Sequence, residues 1–144
     1  MSRARSTIDH LYVDVSDYER SKAFFARALA PLGIELVLEA DRVAGFGHPP
    51  KPELWIRSAQ VGPADPCGSA TRRSPDGSRV IGPIHIAISA SSRAEVDSFH
   101  QAALAAGARD NGGPRVHPEY HPGYYCAFVL DPDGHNLEAV FHGF

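Results

Sequence analysis

The sequence predicts an α+β domain built from two copies of a β-α-β-β-β module, and three observations predict it. The chain has 144 residues, the size of one domain with a core of its own. Apolar residues alternate with period two in several short runs and recur at helical spacing in two longer ones. The order strand, helix, then three strands occurs twice. Module one spans residues 6–60 and module two 83–144, all within a single domain, 1–144. The intervening 61–82, rich in Gly, Pro and Ser without periodicity, reads as a linker or flap.

Each element follows from its residues. From Ile8 to Val15, Leu11, Val13 and Val15 share one face while His10, Tyr12 and Asp14 share the other, the pattern of a half-buried strand. Ser16-Asp17-Tyr18-Glu19 has capping-box spacing, and Tyr18, Phe24, Phe25, Ala28, Leu29 and Leu32 form a helical stripe that Pro31 and Gly33 end. Strands are predicted at Ile34–Leu38, Val43–Phe46 and Glu53–Ser58. In the second copy, Ile84–Ser89 is a strand, and Ser92-Arg93-Ala94-Glu95 opens a helix through Val96, Phe99, Ala103 and Leu104 that stops at Gly107. A weak strand near Ala108–Arg109 or Arg115–Val116, a strong one at Tyr124–Leu130, the turn Asp131-Pro132-Asp133-Gly134 and a strand at Asn136–Phe141 complete it.

Composition excludes several partners. At 43% hydrophobic and 22% charged residues, the chain is globular and not disordered. A net charge of −3, from 14 basic and 17 acidic residues, gives no footprint for a phosphate backbone, so nucleic acid is disfavoured. No stretch approaches the roughly 20 apolar residues of a membrane helix. The amino end MSRARSTIDH lacks the apolar region of a signal peptide, and Cys67 and Cys126 are far apart without a CxxC pair. A reduced, cytoplasmic protein is expected.

The chemistry-bearing residues recur with the module. His10 and His85 each lie in the first strand of a module, and Glu53 and Glu138 each lie in the last. Strand alternation places all four on the face away from the helix: Ile84, Ile86 and Ile88 pack under it, as do Leu137, Ala139 and Phe141, and as do Leu54 and Ile56. Two carboxylates in one partly buried cleft resist ionisation unless a cation joins them. A lone strand histidine is ordinarily a hydrogen-bonded structural residue, but four such residues at repeated positions favour a His2Glu2 divalent site, suited to Zn, Ni, Co, Mn or Fe. Tyr12, Trp55, Arg57, Tyr120, His121 and Tyr124 supply the apolar bodies and polar tips of a small-molecule site. His117 is a pocket or surface residue, and His48, His100, His135 and His142 read as surface histidines.

IDHLYVDVSDYERSKAFF, PIHIAIS and AFVLDPDGHNLEAVF resemble the vicinal oxygen chelate superfamily, which includes glyoxalase I, fosfomycin-resistance enzymes, bleomycin-binding proteins and extradiol dioxygenases. The resemblance covers nearly the whole chain. It implies paired modules whose curled sheets make a cup around a metal-binding cleft, with His10, Glu53, His85 and Glu138 as ligands. It also implies a homodimer, and it favours Glu138 over Glu53 as the proton shuttle. The glyoxalase I pattern has an Arg four residues after the first ligand His and an Asn four after the first Glu, both serving glutathione. This chain has Asp14 and Arg57 there, which counts against glutathione, and YHPGYYCAFVLDPDGHNLEAV resembles a bacterial group within the superfamily, which argues for a different, smaller substrate. The expectation is a lyase or isomerase that chelates neighbouring oxygens, in which the metal stabilises oxyanion charge and a glutamate moves the proton. Two alternatives stand beside it: a non-haem Fe(II) extradiol-type dioxygenase, from the two histidines and one carboxylate, and a non-catalytic small-molecule or drug-binding protein.

Overall fold

The structure, a computed structural model, describes residues 6–60 and 73–143. Most of the predicted flap, with Cys67, lies outside the described residues. Module one comprises β1 (Leu11–Val15), α1 (Tyr18–Leu29), β2 (Glu35–Ala40), β3 (Val43–Gly47) and β4 (Leu54–Ser58). Module two comprises β5 (His85–Ser89), α2 (Arg93–Ala105), β6 (Arg109–Val116), β7 (Tyr125–Leu130) and β8 (Asn136–Phe141). The strand order is β1-β4-β3-β2 in one sheet and β5-β8-β7-β6 in the other. In each, the first and last strands of the module run parallel and the remaining pairs antiparallel. The fold is therefore α+β with a repeated module, and its two mixed sheets remain open, in keeping with a curled cup.

The helices form where predicted, with one shift. Asp17, and not Ser16, is the N-cap of α1, accepting from Arg20 N at 3.1 Å. Ser16 is drawn away because its backbone N and hydroxyl both donate to Asp133 of module two. Ser92 caps α2 by accepting from Glu95 N, and Glu95 in turn accepts from Ser91 N at 2.7 Å. Gly107, at φ 106°, turns the chain out of α2 in a conformation that a side chain would oppose. The weak strand expectation resolves into one strand, β6, whose pairing with β7 shifts register on both sides of Gly112.

A single apolar core runs through both modules. It contains Phe24, Phe25 and Leu29 of α1, Val96, Phe99 and Ala103 of α2, and the inward residues Val13, Ile56, Val129, Leu137 and Ala139. The modules meet on this helix side, where α1 packs on α2 and Arg27 donates to the Ala105 carbonyl at 3.2 Å. A second joint lies at the β7–β8 turn. Asp131 accepts there from the backbone N of Asp133 and of His135, which rolls His135 inward. His135 Nδ1 accepts from Ile84 N at 3.1 Å and its Nε2 donates to the Asp14 carbonyl at 2.9 Å. His135 is thus 1% exposed, a correction to its reading as a surface histidine. No helix among the described residues is long and apolar enough to cross a membrane.

Candidate functional site

The faces turned away from the helices carry the predicted residues. In module two, Glu138 projects from the middle of β8 and is 3% exposed. His85, at the start of the edge strand β5, brings Nε2 to 2.9 Å from Glu138 Oε2. The other carboxylate oxygen, Oε1, accepts from the Tyr124 hydroxyl at 2.5 Å. Burial first, and then this bond to Glu138, hold the Tyr124 phenol above its ordinary pKa. Cys126 lies on the same face of the neighbouring strand, where burial and the Glu138 charge push its thiol up to about 12. Tyr120 and His121 join Tyr124 in a cluster of rings, so three of the predicted pocket residues come together beside Glu138.

Module one gathers the other three. Tyr12 and Trp55 are opposite one another in the β1–β4 register, and their rings stack at 5.8 Å with 20° between planes. The Arg57 guanidinium lies 5.2 Å over the Tyr12 ring. Trp55 can lie down because β3 carries Gly45 beneath it, where a Cβ would come within 2.8 Å of the indole. Arg57 Nε donates to Asp14 Oδ1 at 2.7 Å, and Arg79 Nε donates to the same oxygen at 2.9 Å. The two positions that depart from the glyoxalase I pattern thus pair with each other across the sheet.

His10 and Glu53 each sit one residue ahead of their strands, and Leu11 N donates to the Glu53 carbonyl at 3.0 Å. The His10 ring is half-exposed, with Nδ1 at 2.7 Å from Asp9 Oδ1. That bond, and then Lys51, hold the Asp9 carboxyl below its usual range. The register corrects the equivalence of the two glutamates. Leu11 pairs with Leu54 and Ile86 with Leu137, so the counterpart of Glu138 is Trp55 and the counterpart of Glu53 is Asn136. Glu53 shares a face with Trp55 but lies two residues short of the matching place.

The chemistry of the donors suits a divalent ion: imidazole nitrogen and carboxylate oxygen. His85 Nε2 and Glu138 Oε2 are spaced as neighbouring donors would be at about 2.1 Å from a shared ion. Among the described residues, however, no three His, Cys, Asp or Glu side chains gather closely enough to hold one. Of the four predicted ligands, His85 and Glu138 meet in module two, whereas the His10 ring in module one turns to Asp9. A polar hollow of about 350 Å³ beside the start of α1, lined by residues such as Ser16, Arg42 and Gln60, includes none of the four.

Phe128 and His142 escaped the sequence reading as neighbours of this site, while His117, read as a pocket or surface residue, lies buried in it. Phe128 is directly opposite Glu138 in the β7–β8 register and meets the His85 ring edge-on at 5.9 Å. His117 is 6% exposed and stacks against Tyr120 at 5.3 Å. His142 Nδ1 lies 2.9 Å from His121 Nε2. Counting back from the Asp131–Gly134 turn would have found Phe128. No local signal marks His142.

Comparison with known proteins gives a family match over residues 7–139, to the Glyoxalase/Bleomycin resistance protein/Dioxygenase superfamily. Among solved structures, a glyoxalase/bleomycin resistance protein from Albidiferax ferrireducens T118 is 25% identical with a TM-score of 0.68, covering 94% of this chain and 98% of that one. TioX from Micromonospora sp. ML1 is 18% identical with a TM-score of 0.66, covering 95% and 99%. A lactoylglutathione lyase from Agrobacterium tumefaciens is 20% identical with a TM-score of 0.61, covering 96% and 95%. The curated proteins contain no match.

Proposed function

This chain belongs to the glyoxalase/bleomycin resistance protein/dioxygenase superfamily, and from that premise we propose a metal-dependent lyase or isomerase that acts, without glutathione, on a small substrate with two neighbouring oxygens. The observation that carries the reading is the His85–Glu138 pair, with its 2.9 Å contact and its buried carboxylate. His10, Glu53, His85 and Glu138 are the proposed ligands. A divalent ion held by them, whether Zn, Ni, Co, Mn or Fe, supplies Lewis-acid stabilisation of negative charge on the substrate oxygens. Glu138 takes a proton from one substrate carbon as a carboxylate and returns it to the adjacent carbon as an acid, so the reaction is an isomerisation with no net proton change. Glu53 is the second carboxylate able to serve as base. Tyr12, Trp55, Arg57, Tyr120, His121 and Tyr124 line the substrate. Independence from glutathione is supported by the Asp14–Arg57 pair, which occupies both positions that the thiol peptide would need.

The same reading makes the protein a cytoplasmic homodimer with the first module of one copy facing the second module of the other. Two observations support this arrangement. The modules of one chain join on their helix side, and one chain gathers no three-donor set among its described residues.

Metal content of untagged protein, followed by turnover of 2-oxoaldehydes with and without thiols, tests the proposal. Bound divalent metal and thiol-independent turnover are expected. Glu138→Gln should fold normally and lose at least about a hundredfold in turnover, the scale of a general base; retained turnover rejects its role. A second reading, a binding protein without catalysis, is favoured by the stacked Tyr12–Trp55 floor. Ligand binding in a protein that takes up no metal on soaking would select it.

A further inference from the structure

The carboxylate of Glu138 has two oxygens with separate partners: Oε1 accepts from Tyr124 at 2.5 Å, and Oε2 meets His85 at 2.9 Å. Nothing in a glutamate distinguishes its oxygens, because the terminal torsion of the side chain is broad and two-fold. Tyr124 distinguishes them here, provided that its own hydroxyl is fixed. Four rings fix it. Tyr120 at 5.0 Å, His121 and His142 at 5.2 Å and His117 at 6.4 Å all meet the Tyr124 ring edge-on, at 74° to 84°. His121 and His142 are themselves joined at 2.9 Å, which ties the 117–124 loop to the end of β8. Edge-to-face packing on several sides leaves a phenol ring little room to swing.

Resting on the metal reading above, we infer that Tyr124, besides lining the pocket, is a positioning residue: its boxed hydroxyl occupies Oε1 of Glu138 and leaves Oε2 as the oxygen presented to the ion and the substrate. Hydrogen bonds of this kind orient a ligand and raise its affinity for metal without touching the ion. The loop His117–Gly123, whose sequence suggested only a pocket rim, thereby acquires a definite task.

The test is titration of Co(II) into the metal-free full-length protein, reading both affinity and the visible spectrum of the bound ion. Tyr124→Phe keeps the ring in its box and should weaken Co(II) binding about 10–100-fold with a changed spectrum. Tyr125→Phe is the control. It removes a hydroxyl from the next residue, where the partner is Asp97 of α2 at 2.6 Å, and should change neither reading. His121→Leu takes away one wall of the box while keeping the Tyr124 hydroxyl, and should weaken binding in the same direction but less; it carries the test if Tyr124→Phe does not fold. Wild-type affinity and spectrum in these Tyr124 and His121 variants would overturn the positioning role, while loss of binding in His85→Ala would leave the metal reading intact. A wild-type protein that takes up no Co(II) would overturn both.

Discussion

Cys126 reports on Glu138 from the neighbouring strand, and its behaviour makes the first prediction. The thiol is fully buried and is pushed up to about 12, by burial first and by the Glu138 charge next. An unfolded cysteine ionises near 8.5. The folded state therefore holds this proton more tightly than the unfolded state does. The resulting contribution to stability is full below about 8.5 and is lost as pH rises through 12. At pH 8 the folded thiolate fraction is about a thousandfold below the unfolded one. Site-resolved alkylation followed by mass spectrometry should find Cys126 protected by at least that factor in native protein, with faster labelling in Glu138→Gln. Equal rates in native and denatured protein would refute the buried, charge-coupled placement. The residue types of the site were legible in the sequence because strand alternation alone puts His85 and Glu138 on the open face. Their partners were not, since Tyr124 and His117 reach Glu138 and Phe128 through a loop that has no period.

At the scale of elements, legibility follows the length of chain that connects two strands. The β7–β8 hairpin closes through Asp131–His135, and its six-residue pairing from Tyr125↔Phe141 to Leu130↔Asn136 is fixed by that turn. By contrast, β1 and β4 are parallel and joined through a helix and two strands, so nothing local sets their register. That is why Glu53 looked equivalent to Glu138 although the sheets align Trp55 with it. In β6, Asn111-Gly112-Gly113-Pro114 has the composition of a loop, and the strand exists because β7 offers it a ladder with bulges. The β7–β8 turn also carries the second prediction. Replacing His135 with Leu removes the acceptor for Ile84 N within module two and the donor to the Asp14 carbonyl, the bond that links this turn to β1. The expected cost is about 2 kcal/mol, the scale of a buried polar group left without a partner, seen as a lower urea midpoint with an unchanged slope. An unchanged midpoint would mean that water replaces the imidazole and that the joint rests on the helices alone.

For the whole molecule, the decisive question is which modules face each other across the proposed metal. One chain supplies His10 and Glu53 from one sheet and His85 and Glu138 from the other, and its modules are fastened to each other by the helix layer and the His135 joint. A two-fold dimer that sets module one against module two of the neighbour would create two identical four-ligand sites. Mixing variants separates this arrangement from a site closed within a chain. A His10→Ala protein and a His85→Ala protein should each bind metal poorly as homodimers. After subunit exchange, each mixed dimer has one site with all four ligands and one site lacking both histidines. Random exchange makes half of the dimers mixed, so about a quarter of wild-type metal binding and turnover should return. If the site were closed within one chain, every site in the mixture would lack one histidine and nothing would be recovered.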